Sequence, residues 1–388
     1  MRVLGAVKTF TCLGGECPDT CCAGWRIPLV AGDRERWQRL GIDAILSADT
    51  VTRDDGEVDI RKEDDRCVHQ SADGLCGVQA RWGSEAQAWI CVTYPRVART
   101  VGGVAEVTAT LSCPEIVLQV VGSDAGPRWT EGHPSLFSRE IFDDAGRPAG
   151  DPWLLVCERV TEALAAVLTD RRTSLRARLL RTAAVVLAMT AHGVSTEDPD
   201  LNKVEAVLDA MRGDEPTWAR AVAELDAPLK EVLTWIDGVF GPRYDGSTAG
   251  PLLGNVEQLT PDQKLESAAD AIARGRALAG DDPERGPWVA FERLALHAIH
   301  HEPLVWNWDW EDWTSRFMLR MALLRAVLWL QPDVPEDDDP ESWLPYVVRA
   351  GWLIGRSVDH GKRDEVDEAW TAPEALRGLG AMALLATV

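Results

Sequence analysis

Apolar residues in the part of the chain after residue 150 recur every three or four positions. In one stretch Leu175, Leu179 and Leu180 are followed by Ala183 and Leu187. This spacing places the apolar side chains along one face of an amphipathic α-helix, with arginines between them in the sequence. Three further segments have the same spacing: Leu201, Val204, Leu208 and Met211; Leu229, Val232, Leu233 and Ile236; and Phe317, Met321, Leu324 and Leu328. The pattern predicts a bundle of helices.

The first part of the chain is instead rich in turn residues. Val97 to Val101 and Val104 to Leu111 flank the pair Gly102-Gly103, which predicts a small β-hairpin. Ile116 to Val121, with glycines after it, imitates a strand that feeds a cofactor-binding loop, but a helix that ends at Gly122 explains the same residues. We expect a loop-rich fold with a small apolar core here.

Glycine and proline are frequent between Gly122 and Gly150, which marks a boundary. We therefore predict a cysteine-rich domain over residues 1–125, a linker over residues 126–150 and an all-helical domain over residues 151–388. The fold class that follows is mainly α, with a loop-rich N-terminal domain that carries the hairpin and a helical bundle behind it.

Composition limits the partners that this protein can have. The chain has 388 residues and a formal net charge of -22, which argues against nucleic acid and favours a cationic partner. Met1 to Phe10 lacks the apolar core of a signal peptide, and no apolar stretch approaches the roughly 20 residues that a membrane span requires. These features predict a cytoplasmic protein without a transmembrane segment.

Cysteines are concentrated near the N-terminus. Eight of the nine precede residue 114: Cys12, Cys17, Cys21, Cys22, Cys67, Cys76, Cys91 and Cys113. In a reducing compartment such crowding argues against disulfides and indicates a metal site. The ninth, Cys157, lies in an apolar stretch and is expected to pack in the core.

The first four of these cysteines have the spacing C-x4-C-x3-C-C. Thiolates prefer zinc, copper(I) or iron–sulfur clusters and exclude calcium and magnesium. Zinc remains an alternative, but the paired C-x2-C knuckles typical of zinc sites are absent, so an iron–sulfur cluster is favoured. Ligand bonds would also stabilise a region with little apolar burial.

Several segments together resemble the flagellin lysine N-methylase family. The first is Phe10-x-Cys12-x4-Cys17-x-Asp19-x-Cys21-Cys22-x-Gly24-Trp25, and the others are Cys67, Gly74-Leu75-Cys76, Cys91-x-x-Tyr94-Pro95-Arg96 and Leu111-Ser112-Cys113-Pro114-Glu115. Tyr346 to His360 resembles the family more faintly. The resemblance implies methyl transfer from S-adenosylmethionine to a lysine amine, with a [4Fe-4S] cluster held by the cysteine motif and, with eight cysteines present, room for a second metal centre.

Residues outside the cysteine set are candidates for the reaction itself. Tyr94 and Arg96 belong to the resembling pattern, and Arg96 would neutralise cluster charge or bind a carboxylate of the methyl donor. Among the indoles and carboxylates from Trp306 to Trp313, Trp308 would bind a cation and Asp309 would accept the proton of the substrate ammonium. Core packing is the alternative explanation of this tryptophan-rich segment.

The histidines His297, His300 and His301 have helical spacing, but no third ligand is indicated, and they are interpreted as ordinary polar or interface residues. The leading hypothesis is therefore an iron–sulfur methyltransferase that acts on a lysine-type amine of a protein or small molecule. Two alternatives stay open, namely a non-catalytic metal-binding module and a redox or radical iron–sulfur enzyme of a small-molecule pathway.

Overall fold

Helices make up most of the regular structure of this protein. The computed structural model describes residues 1–133, 146–212, 285–302, 304–306, 309–331 and 333–359. The longer helices are α6 (Pro114–Gly122), α7 (Pro152–Leu168), α8 (Leu175–Ala191), α9 (Leu201–Ala210), α10 (Trp288–His301), α11 (Trp310–Leu330) and α12 (Pro340–Asp359). The prediction of a mainly helical protein is confirmed.

Shorter elements fill the N-terminal part. The helices there are α1 (Gly5–Thr9), α2 (Ala31–Arg39), α3 (Asp43–Leu46), α4 (Gly77–Trp82) and α5 (Trp89–Thr93). The strands are β1 (Arg2–Leu4), β2 (Thr50–Thr52), β3 (Val58–Ile60), β4 (Lys62–Glu63), β5 (Arg66–Cys67), β6 (Arg96–Val101), β7 (Val104–Ala109) and β8 (Trp129–Glu131).

The predicted β-hairpin is present as β6 and β7, paired from Arg96 opposite Ala109 to Val101 opposite Val104. Gly102 and Gly103 both have positive φ angles, 57° and 77°, which is the backbone that a two-residue hairpin turn requires. The hairpin is part of a four-stranded sheet of order β6-β7-β1-β8. Strand β1 pairs in parallel with β7, a long-range contact that local patterns did not predict.

The predicted helices agree with the structure wherever they are described. Helix α8 begins after Ser174, whose hydroxyl accepts a hydrogen bond from the Ala177 amide, as expected of an N-cap. Helices α9 and α11 cover two of the other periodic segments. The segment Leu229 to Ile236 lies outside the described residues. Ile116 to Val121 lies in helix α6, as expected, and not in a strand.

The main core combines residues from both predicted domains. It contains Val3 and Val107 of the sheet together with residues of α6, α7, α8, α10, α11 and α12. Strand β8, which pairs with β1, lies inside the range predicted as a linker, and the division into domains stays a prediction. Cys157 is buried in this core, as expected. None of the described helices combines the length and apolarity needed to span a bilayer.

Candidate metal and substrate site

The first four cysteines lie in the irregular segment between α1 and α2. Cys12 is exposed, whereas Cys17, Cys21 and Cys22 are half-buried. The Cys17 thiol donates a hydrogen bond to the Asp19 carbonyl at 2.8 Å. The Trp25 indole N–H donates to the Cys21 carbonyl. The segment is therefore folded back on itself by hydrogen bonds from a thiol and an indole to backbone carbonyls, with little regular structure.

Later segments bring further cysteines to this loop. The Cys67 amide donates to the Cys22 carbonyl at 2.8 Å, which joins β5 to the Cys21-Cys22 pair. Gln70 forms a bridge with Cys76, and its side-chain amide donates to the Thr20 hydroxyl at 2.9 Å. Backbone pairing thus places the segments of Cys67 and Cys76 beside the first cysteine loop.

Helix α5 carries Cys91, and a buried carboxylate accepts a hydrogen bond from the first amide of this helix. Asp33 on α2 is fully buried and accepts hydrogen bonds from the amides of Val30 at 3.0 Å and Trp89 at 2.8 Å. Arg36 pairs with the same carboxylate. Sequence reasoning missed Asp33, because its role depends on a contact with a segment more than fifty residues away.

The eight thiols fall into two neighbourhoods. Cys22, Cys67 and Cys91 pack in one small apolar cluster, and Cys76 is close enough to raise the pKa of Cys91 by its charge. Cys113 instead lies in the main core, where its pKa responds to the charges of Cys12 and Cys17. A hydrogen bond with Cys22 and burial raise the pKa of Cys21, and the charges of Cys91 and Cys12, one from each neighbourhood, raise it further. In the described conformation no three Cys, His, Asp or Glu side chains of the described residues are grouped to hold a metal ion.

Burial is the main cause of the raised pKa of four of these thiols, including Cys17. It raises the pKa of Cys67 to about 11 and of Cys113 to about 12, and it also raises the pKa of Cys91. Cys22 differs, since a hydrogen bond from Cys21 lowers its pKa to about 6. Because a metal ligand must be a thiolate, metal uptake by the buried thiols would release protons.

Tyr94 and Arg96 lie next to these cysteines. The Tyr94 hydroxyl is 3.1 Å from the Ser112 hydroxyl, and its ring centroid is 5.3 Å from that of Trp25. The Arg96 guanidinium lies 5.0 Å from the centroid of the Phe10 ring, and its buried Nε has no hydrogen-bond partner in the described part of the chain. Burial lowers the pKa of Arg96, while the charges of Cys113 and Cys12 oppose this.

The tryptophan-rich segment shows packing rather than an open cation site where it is described. Trp310 and Trp313 are buried, and their indole N–H groups donate to the carbonyls of Val194 and Glu302. Asp309 is exposed and is the N-cap of α11, accepting hydrogen bonds from the amides at 311 and 312. Trp308 lies outside the described residues. The proposed roles of Asp309 and Trp308 stay predictions.

The three histidines connect α10 to the sheet. The His297 ring nitrogen Nε2 lies 2.8 Å from the Ala109 carbonyl oxygen, and His301 Nδ1 lies 3.0 Å from the Thr108 hydroxyl. His300 is near the Trp129 ring. The interpretation as polar interface residues agrees with these contacts.

Two residues of α12 reach the first cysteine loop, and sequence reasoning assigned neither of them a role. Trp352 donates its indole N–H to the Asp19 carboxylate at 2.9 Å, and Arg356 pairs with the same carboxylate at 3.0 Å. Asp19 stands between Cys17 and Cys21, so the motif already contained one half of this contact. The other half comes from residues over 330 positions away.

The chain is similar to proteins named for flagellar biosynthesis and lysine methylation. It is 26% identical over 126 residues to a flagellar biosynthetic protein FliU of Salmonella muenchen. It is 27% identical over 123 residues to a lysine-N-methylase of Salmonella typhimurium and, likewise, to one of Salmonella choleraesuis.

These alignments cover 30% of this chain, 73% of the FliU protein and 31% of each lysine-N-methylase. The chain therefore matches about a third of the length of the lysine-N-methylases. No protein-family model matches the chain. No solved structure matches it either. The similarities confirm the resemblance that the cysteine pattern predicted.

Proposed function

We propose that this protein is an iron–sulfur-dependent methyltransferase that moves a methyl group from S-adenosylmethionine to a lysine-type amine. The observation that carries the proposal is the similarity to lysine-N-methylases. The substrate amine belongs to a protein lysine or to a small molecule, and the net charge of -22 suits a cationic substrate better than nucleic acid. The cysteine-rich composition fits the reducing cytoplasm.

The residue types fit a soft metal centre, because thiolates are the ligands that such a centre prefers. We assign Cys12, Cys17, Cys21, Cys22, Cys67, Cys76, Cys91 and Cys113 as its ligand set. One [4Fe-4S] cluster needs four thiolates at most, which leaves ligands for a second metal centre. A bound cluster would supply an iron site for the amino and carboxylate groups of the donor, or an electron.

Arg96 is the proposed contact for a carboxylate of the methyl donor. It is a half-buried cation with an unpaired Nε beside the Cys12 and Cys113 neighbourhood, so an anion there would gain a charge-assisted hydrogen bond. Burial raises the pKa of Tyr94 well above its usual range, so its hydroxyl stays protonated. Tyr94 would therefore orient a reactant by hydrogen bonding rather than act as a base.

The substrate amine must be neutral when it attacks, although the reference pKa of lysine is about 10.4. Asp309 would attract the ammonium and accept its proton, with Trp308 as the proposed cation contact. Both capping hydrogen bonds that Asp309 accepts end on Oδ1, so Oδ2 can contact a substrate. We therefore expect Asp309 to affect turnover rather than metal content.

Calorimetric titration of S-adenosylmethionine into full-length, anaerobically purified protein tests the proposal, together with iron and sulfide analysis. We expect a brown protein that binds the donor and methylates a lysine-containing peptide. Stoichiometric zinc without sulfide would refute the iron–sulfur part. Absence of donor binding at millimolar concentration would refute the methyltransferase assignment.

Asp309→Asn gives a second test that separates chemistry from folding. Asparagine is a good N-cap, so helix α11 should keep its stability while the proton acceptor is lost. We expect methyl transfer to fall at least about 100-fold with iron content unchanged. The matched control is Asp312→Asn, which removes an exposed carboxylate on the same helix turn that pairs with Arg316. Equal activity of the two variants would exclude Asp309 as the base.

A non-catalytic metal-binding module is the second candidate function. It is favoured by the use of Asp309 as a helix cap and by the indoles of Trp310 and Trp313 that pack in the core. Such a module would bind metal through the same cysteines but would not bind S-adenosylmethionine. The calorimetric titration therefore distinguishes the two candidates directly.

A further inference from the structure

Helix α12 holds the first cysteine loop by way of the Asp19 carboxylate. The Trp352 indole N–H donates to Oδ2 at 2.9 Å. The Arg356 guanidinium contacts the same carboxylate through Nε, 3.0 Å from Oδ2, and through Nη2, 3.3 Å from Oδ1. Asp19 stands midway between Cys17 and Cys21. Through these contacts, a helix that is distant in the sequence fixes the position of one residue of the cysteine motif.

The same guanidinium also binds the backbone on both sides of the Cys21-Cys22 pair. Arg356 Nη2 donates to the Thr20 carbonyl at 3.0 Å and to the Ala23 carbonyl at 2.8 Å. At Gly24 the φ angle is 79°, and an added Cβ would lie 3.2 Å from Nη2. A glycine here therefore lets the loop turn tightly around the guanidinium.

The contact is largely removed from solvent. The Arg356 side chain is 16% exposed and that of Asp19 is 10% exposed. Burial raises the pKa of Asp19, whereas Arg356 and Trp352 favour its charged form. Loss of one partner from such a pair leaves an uncompensated charge, so truncation of Arg356 should disturb the loop more than loss of an exposed ion pair would.

Helix α12 also contacts the segment that carries Cys113. An added Cβ at Gly355 would lie only 2.4 Å from the Leu111 carbonyl carbon and 2.5 Å from the Ser112 nitrogen. At Gly351 an added Cβ would lie 2.7 Å from a methyl group of Val117. The helix thus packs closely against the backbone just before Cys113. Gly355, which makes this contact, directly precedes Arg356, which binds the Cys21-Cys22 loop.

We infer that Trp352 and Arg356 are positioning residues, and that metal binding by the cysteines and docking of α12 on the cysteine loop stabilise each other. This inference rests on the proposed metal site. The helix fixes the Thr20 to Ala23 backbone and the segment before Cys113 relative to each other, which reduces the loop ordering that metal binding would otherwise require. By thermodynamic linkage, a bound metal must then favour the docked helix by the same factor.

Titration of the reduced, full-length protein with Co²⁺ under anaerobic conditions tests this coupling. Thiolate coordination gives cobalt a charge-transfer absorption, which reports binding without any activity assay. We expect Arg356→Ala to weaken cobalt binding at least about tenfold, because a buried charge and three hydrogen bonds of the loop lose their partner. Arg356→Lys should recover part of the affinity, since an ammonium retains the charge but not the planar fork.

Arg349→Ala is the matched control, because Arg349 lies on the same helix and contacts Tyr346 and Gln331 instead of the cysteine loop. It should change cobalt affinity less than about twofold. If Arg356→Ala does not fold, Trp352→Phe keeps an aromatic ring but loses the indole N–H, and it should still weaken binding by about two- to fivefold. The reciprocal readout is amide hydrogen exchange in residues 340–359 of the unmutated protein, which should slow when cobalt binds.

The outcomes separate this inference from the metal proposal. Cobalt binding by the unmutated protein with equal affinity in Arg356→Ala or Trp352→Phe would overturn the coupling while the metal site stands. Unchanged exchange of α12 on cobalt binding would overturn it as well. A protein that binds neither cobalt nor iron would overturn both the metal site and the inference.

Discussion

The cysteine-bearing loops and the helical part of this protein bury apolar side chains to very different extents. Two small clusters support the loops: Trp37, Ile42, Leu46, Val78 and Ala86 in one, and Ile27, Ile60, Cys67 and Ala88 in the other. The helices share one much larger core, which includes several fully buried tryptophans. Apolar burial supplies most folding free energy, so the two regions must be stabilised differently.

Polar contacts partly replace apolar burial in the loops. Arg26 binds Asp59 through two hydrogen bonds of 2.9 Å, and Asp33 joins α2 to α5. The helical part uses buried ion pairs inside an apolar core, as at Arg178 and Glu292, whose nitrogen and oxygen are 2.6 Å apart. The comparison indicates that the loops depend on specific hydrogen bonds, whereas the helices depend on packing.

The largest expected effect comes from removal of metal from the loaded protein with a chelator. Structural metal sites contribute about 10 kcal/mol or more in small domains, so loss of the metal should loosen the cysteine loops but not the main core. We expect amide exchange in residues 12–93 to accelerate at least about 100-fold, with little change in residues 152–191. Mass spectrometry of exchanged peptides measures this, and equal acceleration in both regions would contradict the comparison.

Truncation of a core tryptophan should have a nearly equally large effect on stability, and this effect should not depend on metal. Trp313 is 1% exposed and stacks on Phe317, with ring centroids 5.2 Å apart. Trp313→Ala should lower the free energy of unfolding by about 3–5 kcal/mol with or without metal. The matched variant Trp82→Ala affects a half-buried ring beside the small Trp37 cluster and should cost about 1 kcal/mol. Urea denaturation measures both, and equal losses would refute the difference in core support.

Loss of the Asp33 carboxylate should have an intermediate effect on the loops. Asp33→Ala leaves the amides of Val30 and Trp89 without their acceptor and should cost about 2–3 kcal/mol, because hydrogen bonds to charged groups are strong. Glu35→Ala on the same helix removes an exposed carboxylate and should change stability by less than about 0.5 kcal/mol. If urea denaturation gives the two variants the same stability, the polar contacts of the loops matter less than we infer.

The smallest effect is the pH dependence contributed by His300. Burial, together with the charges of Arg2 and Arg99, lowers the pKa of His300 to about 3. An unfolded histidine takes up a proton near pH 6.5, whereas the folded one stays neutral, so its contribution to stability is lost as the pH falls from about 6.5 toward 3. Since the residue as a whole is only half-buried, we expect about 1 kcal/mol of loss by pH 5.

His300→Gln should remove this loss. The free energy of unfolding of the variant, relative to that of the unmutated protein, should therefore be about 1 kcal/mol higher at pH 5 than at pH 7. Urea denaturation at the two pH values measures this difference. Carboxylates that titrate in the same range cancel, because both proteins contain them. A difference that does not change with pH would show that the folded His300 takes up its proton normally.

Local patterns predicted the elements that depend on neighbouring residues. The periods of three and four along Leu175 to Leu187 and Phe317 to Leu328 matched α8 and α11, because burial of one face requires that spacing in any helix. The pair Gly102-Gly103 predicted the hairpin turn, since few other residues accept two successive positive φ angles. The cysteine spacing carried the resemblance that the similarity to lysine-N-methylases confirms.

Tertiary structure decided the contacts between distant segments. Strand β1 pairs with β7 across about a hundred residues, and no local signal marks such a partner. Asp33 looked like an ordinary acidic residue, and Asp19 was part of the cysteine motif without an assigned contact, until folding brought Trp89 to one and Arg356 to the other. The sequence by itself determined which residues could form helices and turns, because those properties are local. Only the tertiary structure decided which side chains support the cysteine-bearing loops, because burial and hydrogen-bond geometry arise once the chain has folded.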